Sequence, residues 1–108
     1  MTVQLCVLLW ARPGAGEALA AYEDKVLALL GDHDGRLLQR ARTVGAEDGP
    51  DEIQLIEFAS QAGYEGFTAD PRRTSSAAER EAAIARADLH RVELVDQRPH
   101  PAPSAATP

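Results

Sequence analysis

The chain has 108 residues, 44% hydrophobic and 26% charged, with 17 acidic against 11 basic side chains and a net charge of −6. That is the length of one domain, small enough that burial in an oligomer adds useful stability. The acidic balance excludes a nucleic-acid partner, which clustered Lys and Arg would hold. No apolar run approaches the ~20 residues that cross a bilayer, so no membrane is expected.

Residues 3–10 alternate Val3, Leu5, Val7, Leu9 against Gln4, Cys6, Leu8, Trp10 and stop at Arg12-Pro13-Gly14, which predicts a strand. No Lys or Arg precedes it and Gln4 interrupts it, so it does not read as a signal peptide. From 15 to 30, Ala15, Leu19, Tyr22, Val26, Leu29 and Leu30 recur at helical steps, with Gly31 placed as a left-handed C-terminal cap. Residues 36–44 and 52–59 read as antiparallel strands joined by a Gly- and Asp-rich turn. Ser60 caps a short helix bearing Tyr64 and Phe67, which Asp70-Pro71 ends. Ser76-Ala77-Ala78-Glu79 has the spacing of a capping box and opens a helix to about residue 87. Residues 89–95 close the domain as a strand, with His90, Val92 and Leu94 on one face and Leu89, Arg91, Glu93 and Val95 on the other. One domain over 1–96 is thus followed by a proline- and alanine-rich tail, 97–108, expected to be disordered.

The β-α-β-β-α-β order is the ferredoxin-like α+β arrangement, a four-stranded antiparallel sheet with helices on one face. Within it, Glu57-Phe58 at the third strand's end, then Ser60, Tyr64, Phe67 and Asp70-Pro71-Arg72-Arg73, resemble small bacterial members of the dimeric α/β-barrel superfamily. The likeness is to its uncharacterised-domain and antibiotic-biosynthesis monooxygenase branches. A single lysine against ten arginines fits a GC-rich bacterial genome. The resemblance implies a homodimer with two sheets face to face, and a cavity between helices and sheet in each subunit. It also implies cofactor-independent oxygenation, cyclisation or isomerisation of an aromatic or enolisable metabolite. The other reading is a non-enzymatic dimeric module that binds a ligand or a partner.

If Leu5, Val7, Leu9, Ile56, Phe58, Val92 and Leu94 face the helices, the strand period sends Gln4, Cys6, Leu8, Trp10, Leu38, Arg40, Arg42, Leu55, Glu57, Arg91 and Glu93 to the other face. The functional reading makes Glu57 or Glu93 the base and Arg40 or Arg91 the oxyanion partner. The structural reading makes these charges the ion pairs that set subunit register. His90 is the best-placed histidine for proton transfer, whereas a core histidine bonded to a carbonyl is the plainer alternative. Trp10, Tyr22, Tyr64 and Phe67 either wall a cavity for a small aromatic ligand or simply pack the core. His33 falls in an exposed acidic turn, and Arg72 and Arg73 either grip an anion or pair with nearby carboxylates. The single Cys6 excludes a disulfide framework and a cysteine-cluster metal site, and points to the cytoplasm. Asp32, Asp34 and Gly35 lack the remaining ligands of a calcium loop. Neither metal nor cofactor is expected.

Overall fold

A computed structural model describes residues 2–45 and 47–95, so the expected tail, 97–108, lies outside the described residues. In chain order the elements are β1 (Val3–Ala11), α1 (Gly16–Leu27), a 3-10 turn (Leu30–His33), β2 (Gly35–Arg42), β3 (Glu52–Phe58), α2 (Gln61–Thr68), α3 (Pro71–Thr74), α4 (Ala77–Ala83) and β4 (Ile84–Val92). The strands form one antiparallel sheet in the order β2-β3-β1-β4, as the ferredoxin-like arrangement requires.

One face of the sheet is covered by helices. Val3, Leu5 and Leu9 alternate inward from β1, opposite Phe58, Ile56 and Glu52 of β3. Onto them α1 lays Leu19, Tyr22 and Val26, spaced to share one helical face. Phe58 is fully buried and packs its ring 5.6 Å from Tyr64 and 5.4 Å from Phe67. Truncating such a residue to alanine costs about 3–5 kcal/mol.

The helix ends follow local chemistry. Ser60 caps α2 by accepting from Gly63 N at 3.1 Å, and Asp70 caps α3 by accepting from Arg72 N at 2.8 Å, with Pro71 in the first turn. Ser76, expected to cap the last helix, makes no side-chain cap bond and donates its hydroxyl to Arg72 O at 3.3 Å. The first helix stops at Leu27, and the left-handed residue is Asp34 (φ 58°), not Gly31. The 3-10 turn between them buries Leu30, and the short polar side chain of Asp34 tolerates that conformation.

Three expectations about strands are corrected. The last strand begins at Ile84, where a helix was expected to run on to about 87, and it ends at Val92. Pairing with β1 from Ala11 back to Gln4 overrides the helical preference of the Ala- and Arg-rich segment. Its parity is also reversed: His90 pairs with Cys6 and Val92 with Gln4, which puts both on the uncovered face, while Leu89 and Arg91 lie on the helix side. In β2 a bulge between Leu37 and Gln39 changes the phase, so Arg40 and Arg42 oppose Gln54 and Glu52 on the helix side instead of facing away.

Candidate functional site

Between the helices and the sheet lies a cavity of about 90 Å3. Leu5, Val7, Leu9, Ile56 and Phe58 floor it from the sheet, α1 contributes Tyr22, Glu23 and Val26, and α2 contributes Tyr64, Phe67 and Thr68. Arg73 and Arg80, from α3 and α4, complete the wall. The body is apolar and a few polar groups converge on it, the usual composition of a small-molecule site.

The polar side is a chain of buried groups. Gln54 Nε2 donates to Glu23 Oε1 at 2.8 Å and to Glu52 Oε2 at 2.7 Å. Glu52, 1% exposed, takes Arg40 Nε at 2.6 Å, and Arg40 Nη1 reaches Asp24 Oδ1 at 2.6 Å. Burial pushes the Glu23 carboxyl above the usual carboxylate range; the Gln54 bond opposes this and the Glu52 charge adds to it. Burial likewise raises the Tyr22 phenol, and the bonds to Glu52 hold Arg40 firmly protonated. A carboxyl so placed keeps its proton to higher pH than an ordinary carboxylate does, the property a general acid or base on the wall needs.

Of the residues singled out in the sequence, Tyr22, Tyr64 and Phe67 do line this cavity. Trp10 does not: it lies on the uncovered face, with the Arg86 guanidinium 4.4 Å from its ring centroid and its Nε1 donating to Asp48 O at 3.2 Å. The four residues considered for catalysis are not brought together. His90 and Glu57 sit on the uncovered face, on strands flanking β1, while Arg40 and Arg91 sit on the helix side. Glu57 accepts from Gln4 Nε2 at 2.8 Å and from Arg36 Nε and Nη2 at 3.0 and 2.9 Å, which lowers its pKa. Arg91 is exposed and donates to Gln61 Oε1 at 3.3 Å.

Two groups escaped the sequence reading. Glu23 shares the apolar stripe of α1, four residues after Leu19, and Gln54 falls on the inward parity of β3 with Ile56 and Phe58. Polar residues on buried parities were the signal. His33, read as exposed, is half-buried and bonded through Nε2 to Asp70 Oδ2 at 2.7 Å, with its ring edge-on to Phe67. Arg72 also pairs with Asp70 (2.7 Å) and with Asp32 (3.0 Å), whereas Arg73 stacks on Phe67 at 5.3 Å. Among the described residues, no group of three or more His, Cys, Asp or Glu is placed to hold a metal ion, and no helix is long and apolar enough to cross a membrane.

No protein-family model and no curated protein matches the chain. Solved structures do. A protein of unknown function from Rhodopseudomonas palustris is similar at 22% identity and a TM-score of 0.72, over 89% of this chain and 84% of that one. SnoaB, a cofactor-independent oxygenase from Streptomyces nogalater, is 10% identical with a TM-score of 0.69 over 92% and 98% of the two chains. A dimeric protein of unknown function and ferredoxin-like fold from Bacteroides fragilis is 11% identical with a TM-score of 0.67 over 86% and 96%. At these identities the likeness is one of architecture, and with the strand order above it makes the chain a ferredoxin-like α+β domain of the kind its resemblance to the dimeric α/β-barrel proteins implied.

Proposed function

We propose that the protein is a homodimer in which each subunit binds a small aromatic or enolisable metabolite in the helix–sheet cavity and moves a proton on it without a cofactor. The observation that carries this reading is Glu23, a cavity-wall carboxyl whose pKa is raised by burial and whose orientation is fixed by Gln54. As carboxylate, it removes a proton from a carbon next to a carbonyl. The electron pair left behind moves onto the carbonyl oxygen as an enolate, which a phenol or guanidinium on the wall stabilises. Returning that proton to a different carbon completes an isomerisation with no net oxidation. The same enolate is the starting point for cyclisation or oxygenation, and the likeness to a cofactor-independent oxygenase agrees with it. The cavity is below the roughly 300–1,000 Å3 of sites for drug-sized ligands, so a single ring suits it better than a polycycle.

The test is solvent exchange. Incubated in D2O with a panel of small cyclic ketones and unsaturated lactones, the protein should catalyse deuterium uptake into at least one, and Glu23→Gln should abolish it without unfolding the domain. Exchange that survives this substitution would rule Glu23 out as the base.

The second reading, a dimeric module without catalysis, is favoured by the Gln4–Glu57–Arg36 cluster on the uncovered face. Leu8, Ile53 and Leu55 lie half-buried beside it on the same face. Apolar residues bordered by fixed charges suit the sheet face of a second copy, where the charges would set register. A dimer with no exchange activity on any probe would favour this reading.

A further inference from the structure

Three arginines of the described residues are half-buried: Arg40, Arg73 and Arg80. Arg40 has two carboxylates, Glu52 and Asp24, each at 2.6 Å. Arg73 and Arg80 are the two that line the cavity, and among the described residues neither has a carboxylate within 4.0 Å. At the surface Arg12, Arg36, Arg72 and Arg86 find carboxylates, and Arg42 and Arg91, which do not, are exposed to water, so the contrast lies in the burial of Arg73 and Arg80. A larger hollow of about 250 Å3, lined by α1 and by Leu29, Arg72 and Ser76, is bordered by Lys25 and Arg72, but both are paired, with Glu79 and with Asp70 and Asp32.

Arg73 is the less satisfied of the two. Its Nη1 donates to Thr68 O at 3.3 Å, its guanidinium lies over the Phe67 ring, and its Nε is enclosed without a partner. Among the described residues the one acid on the cavity wall, Glu23, is engaged by Gln54 and makes no ion pair with Arg73, although the Arg73 charge is felt there. A partly desolvated guanidinium without a bonded carboxylate is better satisfied when an anion reaches it. The rest of the wall, notably Phe58, Tyr64 and Phe67, offers aromatic surface that suits a ring.

Building on the reading of this cavity as the ligand site, we infer that its ligand is a small monoanion with a single-ring body, an aromatic or alicyclic carboxylate. Its charged group meets Arg73 and Arg80, and its ring lies against Phe58, Tyr64 and Phe67. Glu23 and Gln54 then face the part of the ring remote from the carboxylate.

Benzoate, cyclohexanecarboxylate and the neutral benzyl alcohol serve as probes, titrated into the full-length protein by calorimetry. Benzoate should bind about tenfold or more tightly than benzyl alcohol, the gain expected of a charged hydrogen bond, and cyclohexanecarboxylate should follow benzoate. Arg73→Gln and Arg80→Gln should each remove most of that preference, bringing benzoate affinity down toward that of benzyl alcohol, and Arg73→Lys should keep part of it. Thermal melts of each variant check that it is folded. Equal binding of benzoate and benzyl alcohol, or a benzoate affinity indifferent to both glutamine substitutions, overturns the anion inference and leaves the cavity reading standing. If no probe binds, the cavity reading falls, and this inference with it.

Discussion

Gln54 on β3 holds Glu23 on α1 through a single amide hydrogen, 2.8 Å across the boundary between sheet and helix. The same nitrogen also serves Glu52, so one neutral side chain separates two buried carboxyl groups. Gln54→Leu keeps much of the volume but leaves both acids without this donor. A loss of about 1–3 kcal/mol is expected, read from urea unfolding at pH 7. A variant as stable as the parent would mean the two acids find other partners.

The Glu23 carboxyl should make its own mark on the pH dependence of stability. Its folded pKa lies above the ordinary 4.5, chiefly because it is buried. Its contribution is therefore fully present below that ordinary value and is lost as pH rises through the folded one. Glu23→Gln removes the dependence: its stability relative to the parent should improve between pH 4 and pH 8. Parallel stability curves for the two proteins over that range would contradict the assignment.

Asp70 works in the opposite sense. Its carboxyl is held well below the ordinary 3.8, first by Arg72 and then by His33. The stability it brings is present above that ordinary value and is lost as pH falls toward the lower folded one. Asp70→Asn should therefore be less stable than the parent at pH 6, and the gap should narrow steadily on acidification below pH 4. Thermal melts across that series decide the matter, since a constant gap would assign Asp70 to capping alone.

The 3-10 turn and α2 touch backbone to backbone. A Cβ on Gly63 would run into the His33 carbonyl oxygen, and one on Gly66 would come within 2.9 Å of His33 Nδ1. Gly63→Ala should cost about 1–3 kcal/mol through forced separation. Gly31→Ala, where nothing lies within 4 Å of the added methyl, should be neutral or slightly stabilising. Chemical denaturation of the two variants side by side separates a steric effect from a general intolerance of alanine.

The two faces of the sheet should respond differently to the loss of a charge. Light scattering at micromolar concentration is expected to return twice the chain mass, and Glu57→Ala should shift it toward one chain while leaving each subunit folded. Arg40→Ala should leave dimer mass intact but strip Glu52 of its counter-ion inside the domain, at a cost of about 3–5 kcal/mol. A parent protein of single-chain mass would end the assembly reading.

Helix α1 was readable because a single stripe of it is apolar, and the strands were readable as strands from their turn-bounded apolar runs. Which face turns inward was not readable in the last strand, where both parities are apolar. Residues 89–95 place Leu89 and Val95 against Val92 and Leu94, so the pattern has no preferred face, and only the pairing of Cys6 with His90 decides it. Leu37-Leu38 hid the bulge of β2 for the same reason. The aromatic walls Tyr22, Tyr64 and Phe67 were legible because bulky residues near helix–sheet contacts have few other places to go. The Asp70–His33 bond joins positions 37 apart in the chain, a distance over which spacing carries no information.

The irregular residue at Leu38 has one more effect. β2 forms a margin of the sheet, where open backbone groups invite a neighbouring chain to add a strand. A kinked ladder flanked by Arg36, Arg40 and Arg42 is a poor template for that addition. The border that could seed fibrous growth is thereby blunted.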